Sequence, residues 1–455
     1  MQRKFSIEYA AVMTLAVLRL SLAGFRYAPL LDDYIQYYNY ANLMGSLGEA
    51  VKTLGLFATR PIAGLLDIVL WSKFYNCLFA AVILIALMYG VSAIIFKRLF
   101  EAGSFFYVVY LLFPLNIEGT YWLSAATRIV PSLVLAGLAG TYAKNKKPLL
   151  AALCCFLAAG FYEQGFVLAA GLVVWYGVSI GKPSYIALPP VCFAAYSALT
   201  GLAGTSALYG NRAQYVMPKE VWSEVTSQIG AILKGGAVIT VKGAARGLSS
   251  GIWALLAAVI CLALVRVFHT DGKSRKNMIV LGLLFAIGPM VPFFIIANPW
   301  VSMRAAACCI PGIALAADSA VGSKRAVSIV FAAVFLLATA SELADYKTVA
   351  THDAAVLNAL SKATAGIGRG VNVGVYGLEP YILKEQNYVW HEHIHGVTES
   401  RWALTGGLRA VSNSMDVPTV TPLAENIYPD YANLEQYDIL FRITDDMTVI
   451  KESGK

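Results

Sequence analysis

Long apolar runs without charge restrict what this chain can fold into. The clearest run, Leu78 to Phe96, has nineteen residues and no charge, and the runs 185–203, 251–265 and 278–297 are similar. About 20 apolar residues in a helix cross the roughly 30 Å hydrocarbon core of a bilayer. Charged residues make up only 14% of the chain, whereas a typical soluble domain is about a quarter charged. The sequence therefore predicts an all-α, polytopic membrane protein.

About eleven stretches are predicted to span the membrane. They are 7–25, 78–96, 103–115, 123–142, 148–161, 165–180, 185–203, 248–265, 278–297, 305–320 and 326–341. Lys and Arg in the short turns fall on alternate sides of these stretches, and such residues collect on the cytoplasmic side. The pattern predicts a multi-pass protein of the cytoplasmic (inner) membrane with a cytoplasmic N-terminus. The net charge of +8 reflects this topology, so no nucleic-acid partner is expected.

The chain divides into two predicted domains, residues 1–341 with the spans and residues 342–455 as a polar tail. In the tail, 371–377 and 437–443 have strand-like patterns and 354–365 has a helical one. We expect a small α/β domain on the extracytoplasmic side. In the outer loops, the amphipathic region 28–76 predicts helices that lie in the membrane interface, and 204–247 is predicted to be a second long outer loop.

The cysteines give no sign of a metal centre, and for the alternating histidines of the tail a metal site is the less favoured alternative. The seven cysteines lie in or beside apolar runs, whereas disulfide and zinc frameworks use spaced cysteines in polar loops. We therefore expect these cysteines to be packing residues. His391, His393 and His395 alternate as in a strand, but they lack a cysteine or another fixed partner. We expect an exposed polar segment there.

Two adjacent carboxylates, Asp32 and Asp33, follow the first span at the predicted membrane–water boundary. Charges in such positions are costly and tend to mark function. The predicted topology brings isolated polar residues from the whole chain to the same outer face. They are Asp32, Asp33, Arg60, Glu118, Glu163, Arg212 and Arg304. This convergence predicts an active site at the outer membrane surface.

The residue types in this set suit transfer of a sugar from a lipid phosphate. A base must deprotonate the acceptor hydroxyl, and Asp32 or Asp33 can be that base. Arginine binds phosphate through paired hydrogen bonds, which makes Arg60 and Arg304 the candidates for the phosphate clamp. No cofactor is required. A divalent cation (Mg²⁺ or Mn²⁺) on the aspartate pair is an alternative that the residues leave open.

Four short motifs carry a resemblance to a known family. They are Asp32-Asp33-Tyr34 in the first outer loop, Thr59-Arg60-Pro61, Tyr162-Glu163-Gln164 and the late Arg304. Together they resemble the GT-C superfamily of membrane glycosyltransferases, in its GtrII-type bacterial glucosyltransferase branch, over roughly residues 1–340. The tail carries no motif that matches.

The resemblance implies an inverting glycosyltransferase with a GT-C-like fold. Its donor would be a polyprenyl-phosphate sugar held in membrane lipid, and its acceptor a cell-surface or lipid-linked glycan. Either Asp32 or Asp33 would correspond to the catalytic acid of the family's first loop. The predicted substrate-binding residues are Tyr34, Arg60, Glu118, Arg128, Glu163, Arg212 and Arg304.

Three other functions remain open at this point. A flippase or transporter of lipid-linked sugars would favour charges near the middle of helices and internal repeats. An O-antigen-type polymerase or ligase would also use a polyprenyl carrier, with arginines in a large late outer loop. A non-catalytic assembly protein would use the tail as a binding module and would tolerate replacement of both aspartates.

Overall fold

The structure is a computed structural model of the chain. It describes residues 2–24, 26–40, 60–202, 216–248, 251–268, 275–297, 299–322, 324–378, 395–423 and 434–454. Within these ranges the chain is mostly helical, with a small sheet near the C-terminus.

The first part of the chain contains ten of the described helices. They are α1 (Gln2–Leu18), α2 (Asp32–Tyr40), α3 (Pro61–Lys73), α4 (Leu78–Phe100), α5 (Phe105–Leu112), α6 (Ile117–Thr120), α7 (Leu123–Lys144), α8 (Pro148–Phe161), α9 (Glu163–Ser179) and α10 (Leu188–Leu202).

The later helices include the two longest of the described chain. They are α11 (Pro218–Gly247), α12 (Ile252–Phe268), α13 (Ile279–Ile287), α14 (Met303–Ala306), α15 (Ile310–Val321), α16 (Arg325–Ala363) and α17 (Arg401–Ser412).

Five helical segments of the described chain are long and apolar enough to cross a membrane, which indicates a membrane protein. They are Tyr75–Phe100, Leu123–Lys144, Lys276–Phe294, Met303–Val321 and Arg325–Ala363. The predicted number of eleven spans is not confirmed. A helix lies in each of the eleven predicted stretches, but several are too short. The eight residues of α5, for example, extend only about 12 Å along the helix axis, well short of a bilayer.

The predicted loop 204–247 is wrong over most of its length, because α11 occupies thirty residues of it. Its buried residues recur every three or four positions, as at Val221, Val225, Gln228 and Ile232, and α11 packs along α16. The buried stripe also contains glycines and the exposed face is charged, so the apolar signal in the sequence is weak. The pattern is nevertheless that of an amphipathic helix.

The predicted strands and helix of the tail are confirmed. The strands β1 (Asn372–Tyr376), β2 (Thr419–Leu423), β3 (Ile439–Ile443) and β4 (Val449–Gly454) form one sheet in the order β2-β1-β3-β4. The three strands β2, β1 and β3 are parallel, and β4 pairs antiparallel to β3. The end of α16 and the helix α17 supply the other half of this core. Because α16 is continuous from Arg325 to Ala363, the predicted boundary at 341/342 falls inside a helix.

The short helix α2 lies between the bundle and the C-terminal sheet. Tyr34 is 7% exposed and packs in the same apolar core as Val356, Leu404 and Phe441. Asp32 and Gln36, one turn apart on another face of α2, line a cavity instead. Residues i and i+4 share a face of a helix. The helix α2 therefore contacts the core of the tail on one face and lines the cavity on another.

Arg19 lies in the predicted span 7–25, where a charge is expected to face the bundle or a partner because it is costly in lipid. In the structure it faces the interior of the bundle. The residue is 1% exposed. Its guanidinium donates hydrogen bonds to the carbonyl oxygen of Leu111 and to Thr120 Oγ1, the latter at 2.6 Å, and it lies 4.7 Å from the ring centre of Tyr89. Arg19 thus joins the first helix to the region around α5 and α6.

The cysteines are packing residues, as predicted. All seven are free, and all except Cys77 are buried. Small polarizable thiols of this kind fill apolar interiors.

We expect the contact between α11 and α16 to be intolerant of added volume at Gly247. A Cβ at this position would lie 2.1 Å from the carbonyl oxygen of Leu337, so the backbones must separate. Gly247→Ala should destabilise the protein by about 1–3 kcal/mol, seen as a lower apparent melting temperature in detergent.

Gly230→Ala is the matched control for this substitution. Gly230 lies on the same helix, and a Cβ there would meet nothing within 4 Å. Alanine at this position should be neutral or stabilise by up to about 1 kcal/mol. Equal melting temperatures for the two variants would contradict the close approach of α11 and α16.

Candidate active site

Five of the predicted site residues line one cavity of about 540 Å³. They are Asp32, Arg60, Arg128, Glu163 and Arg304. Each stands at or near the start of a helix, where the chain enters the bundle. The cavity walls come from α2, α7, α9, α10 and the segment 292–305. Residues that are up to 272 positions apart in the chain thus face the same space.

The ion pair between Asp32 and Arg304 joins the first and the last of these residues. Nη1 of Arg304 donates to Oδ2 of Asp32 at 3.1 Å, and the two side chains are 25% and 22% exposed. The guanidinium also lies 5.4 Å from the ring centre of Trp122. Asp32 is therefore open to the cavity while its carboxylate is oriented by a cation.

Glu163 holds Arg60 in a forked arrangement. Nε of Arg60 lies 3.0 Å from both carboxylate oxygens of Glu163, and Nη2 lies 2.8 Å from Oε2. The ring of Tyr162 supports the guanidinium at 4.7 Å. Arg60 immediately precedes α3 and Glu163 is the first residue of α9. Paired hydrogen bonds of this kind restrict a guanidinium in both position and plane.

Asp67 pairs with Arg128, the third arginine of the cavity. Its Oδ2 accepts a hydrogen bond of 2.6 Å from Nη2 of Arg128, and the residue is fully buried. Burial raises the pKa of Asp67, while the charge of Arg128 opposes the shift. The sequence prediction did not include Asp67, although a single acid inside the apolar helix α3 is a signal that could have found it.

Asp33 has a different environment from its neighbour. It is 0% exposed, and its carboxylate accepts hydrogen bonds from the Tyr27 hydroxyl, from the Leu30 amide at 3.2 Å and from the Ser124 amide at 3.0 Å. Asp33 therefore ties the start of α2 to the start of α7. It does not line the cavity, so its predicted catalytic role is not supported by its placement.

The aspartate pair does not form a shared cation site. The oxygens of Asp33 are surrounded by hydrogen-bond donors, and Asp32 pairs with Arg304. Among the residues that the structure describes, no three His, Cys, Asp or Glu side chains converge. This geometry does not fit a divalent cation bridging Asp32 and Asp33, and no catalytic step is assigned to one.

Three predicted substrate-binding residues are not seen at the cavity. Tyr34 packs in the core of the C-terminal sheet, because it lies on another face of α2 from Asp32. Glu118 is 1% exposed on α6 and does not line the cavity. Arg212, like His391 and His393, lies outside the described residues.

The sequence prediction also missed uncharged residues that line the cavity. They include Gln36, Ser124, Gln164, Tyr196 and Trp300. Gln36 follows Asp32 by one helical turn and Gln164 follows Glu163 directly, so proximity to the charged residues is a signal that could have identified them.

We expect Asp33 to make stability depend on pH near neutrality. Burial raises its pKa from 3.8 to about 7, although the hydrogen bonds from Tyr27, Leu30 and Ser124 oppose the shift. A carboxyl whose pKa is higher in the folded chain binds its proton more tightly there. The free energy of unfolding therefore falls as pH rises between the two values.

Apparent melting temperatures of wild type and Asp33→Asn between pH 5 and 8 measure this effect. The wild-type value should fall more steeply up to about pH 7 than that of the variant, in which the group does not titrate. Contributions of other groups cancel in the difference. Parallel curves for the two proteins would show that Asp33 does not titrate in this range.

Comparison of the chain with protein-family models, with curated proteins and with solved structures finds no match in any of the three. The resemblance to the GT-C superfamily therefore depends on the motifs around Asp32, Arg60, Glu163 and Arg304, and it stays a prediction.

Proposed function

We propose that this chain is an inverting membrane glycosyltransferase that uses a polyprenyl-phosphate sugar as donor. The observation that carries the proposal is the cavity in which Asp32 stands beside three arginines. The acceptor would be a cell-surface or lipid-linked glycan, and the reaction would occur on the extracytoplasmic side of the inner membrane. Four features of the cavity support this proposal.

Asp32 is the proposed general base. A base must reach the substrate before its pKa matters, and Asp32 is the aspartate of the pair that lines the cavity. Its carboxylate would take the proton of the acceptor hydroxyl as the oxygen attacks the anomeric carbon. Asp33, enclosed by three donors, is assigned the role of holding α2 in place.

The arginines are the proposed binding site for the lipid phosphate. Three arginines and two carboxylates line the cavity, so the lining carries one excess positive charge at neutral pH. Guanidinium groups donate to phosphate oxygens with good geometry. Arg60 and Arg128 are already fixed by Glu163 and Asp67, which reduces the entropy lost on binding.

Arg304 is proposed to interact with both the base, Asp32, and the leaving phosphate. Before reaction its guanidinium pairs with Asp32. As Asp32 accepts a proton, the carboxylate loses its charge while negative charge accumulates on the leaving phosphate. Arg304 then interacts with the leaving phosphate. Such a cation stabilises the transition state more than the ground state, which is the requirement for catalysis.

Part of the cavity lining is apolar and suits a prenyl chain. Phe193, Phe293, Ile296 and Trp300 are among the lining residues, and Phe293 lies in the candidate span Lys276–Phe294. A polyprenyl chain in the bilayer can contact such residues without leaving an apolar environment. The same cavity therefore offers contacts for the lipid, the phosphate and the attacking group.

Transfer of radiolabelled sugar from a polyprenyl-phosphate donor by the purified, reconstituted protein tests the proposal. Asp32→Asn should lower the transfer rate by about 10²- to 10⁴-fold, because a base is lost. Arg304→Ala should raise KM for the donor, because a contact to the phosphate is lost, and lower kcat, because that contact strengthens in the transition state. A parallel assay with chelator examines dependence on a divalent cation.

Glu101→Gln is the matched control for loss of an ion-paired carboxylate. Glu101 pairs with Lys144 at 2.8 Å and is well exposed, far from the residues of the cavity, and such surface pairs contribute little. Its transfer rate should equal that of wild type. Full transfer by folded Asp32→Asn would remove Asp32 as the base. Absence of wild-type transfer with every sugar donor tried, together with lipid flipping in vesicles, would favour a transporter instead.

A further inference from the structure

Three buried polar side chains of the cavity have oxygens without a partner. Gln36, Ser124 and Gln164 are 7%, 1% and 6% exposed. Their atoms Oε1, Oγ and Oε1, respectively, have no hydrogen-bond partner among the described residues. All three residues line the cavity. Since buried polar groups are nearly always hydrogen-bonded to protein, water or ligand, we expect a group that occupies this space to pair with these oxygens.

Each of these residues stands next to a charged residue of the site. Gln36 follows Asp32 by one turn of α2, Ser124 precedes Arg128 by one turn of α7, and Gln164 follows Glu163 in α9. The three oxygens therefore come from three different helices. Terminal amide torsions are soft, so the two glutamines can turn toward a bound group without movement of the helices.

The chemistry of the two glutamine oxygens excludes the lipid phosphate as their partner. An amide oxygen only accepts hydrogen bonds, and a phosphodiester anion has no hydrogen to donate. The Ser124 hydroxyl can both donate and accept. The arginines of the cavity are donors and suit the phosphate. Hydroxyl groups of a sugar both donate and accept, so they can satisfy the oxygens and also receive bonds from the amide nitrogens of Gln36 and Gln164. The three side chains are uncharged, so they offer no counter-charge to a carboxylate or an amine on the sugar.

We propose that Gln36, Ser124 and Gln164 form a subsite that binds the hydroxyl groups of an uncharged sugar ring. The inference rests on the proposed function for the position of the phosphate, and it adds which residues select the sugar. The ring would lie beside Asp32, where the anomeric carbon meets both the attacking acceptor oxygen and the leaving phosphate. Gln36, Ser124 and Gln164 are thus specificity-determining residues and not catalytic ones.

The test compares binding of two lipids to the purified protein. One is a short-chain prenyl phosphate, and the other is the same lipid with a neutral hexose on the phosphate. Wild type should bind the glycosylated lipid more tightly. Gln36→Leu, Ser124→Ala and Gln164→Leu should each reduce affinity for the glycosylated lipid by roughly tenfold, because a hydrogen bond is lost. Affinity for the plain lipid should not change.

Deoxy-hexose donors identify which hydroxyl each residue contacts. Wild type should bind each relevant deoxy analogue less tightly than the parent sugar. A variant that lacks the corresponding oxygen should no longer distinguish parent from analogue, since both partners of one bond are then absent. This pattern separates direct recognition from a general loss of structure. Gln36→Met and Gln164→Met repeat the test if the leucine variants have lowered melting temperatures.

Thr200→Val is the matched control. Thr200 also lines the cavity, but its hydroxyl already bonds the carbonyl oxygens of Tyr196 and Ser197 at 3.1 and 3.2 Å. Its removal should leave the ratio of the two affinities at the wild-type value. The same unchanged ratio in the Gln36, Ser124 and Gln164 variants would overturn the subsite.

The subsite and the proposed function can fail separately. Suppose that wild type prefers the glycosylated lipid and that the three variants lose this preference, but that no sugar is transferred. The sugar subsite is then supported and the proposed glycosyltransferase activity is contradicted. If sugar is transferred while the two lipids bind equally well, the enzyme stands and the subsite is wrong.

Discussion

The position of Asp32 depends on the buried carboxylate of its neighbour. Asp33 accepts hydrogen bonds from the backbone of Leu30 and Ser124 and from the Tyr27 hydroxyl. A further bond of 3.2 Å, from Trp122 Nε1 to the Leu30 carbonyl oxygen, joins the same two segments. The start of α2 is thereby fixed to the start of α7. With Asp33 directed inward, the helical rotation of about 100° per residue leaves Asp32 to face the cavity.

The three arginines of the cavity likewise depend on carboxylate partners for their positions. A guanidinium in a partly buried site needs a negative partner, because an unpaired charge there is costly. Arg60, Arg128 and Arg304 each have a carboxylate partner, and these partners differ in exposure. Asp67 is fully buried, while Asp32 and Glu163 are open to the cavity. A molecule in the cavity can reach the carboxylates of Asp32 and Glu163, but it cannot reach the buried carboxylate of Asp67.

The tail contributes to the same arrangement through α2. Tyr34 packs in the core of the C-terminal sheet, and Tyr346 of α16 donates a hydrogen bond of 2.6 Å to the Ala28 carbonyl oxygen. One contact holds the residue two positions after Asp32 and the other holds the segment before it. The C-terminal domain therefore helps to position Asp32 at the cavity.

The sequence predicts local features well because hydrophobic periodicity acts over short distances. The apolar helices, the strands of the tail and the inward orientation of Arg19 follow from patterns of a few residues. The predicted alternating topology already places Asp32, Arg60, Glu163 and Arg304 on one face, whereas Arg128 is not in that set. The number of membrane-length helices could not be anticipated, because short apolar runs form both spanning and buried helices.

Other parts of the site depend on contacts that no local pattern encodes. The sequence does not distinguish Asp32 from Asp33. Their partners in the structure do, because Asp32 pairs with Arg304 and Asp33 accepts a hydrogen bond from the Ser124 amide. The prediction for Tyr34 failed to identify its packing, because the sheet that covers it lies over 300 residues later. In the sequence, nothing distinguishes Gln36, Ser124 and Gln164 from other polar residues. Only the structure shows that they are buried and that their oxygens have no partner among the described residues.

An experimental structure of the protein with a non-transferable polyprenyl-phosphate sugar analogue is the most direct measurement. The phosphate should lie within hydrogen-bond distance of Arg304 and of Arg60 or Arg128, with the sugar beside Asp32 and the prenyl chain along Phe293 and Trp300. A phosphate bound elsewhere, or a sugar separated from Asp32 by the width of the cavity, would contradict the assignment of this cavity as the active site.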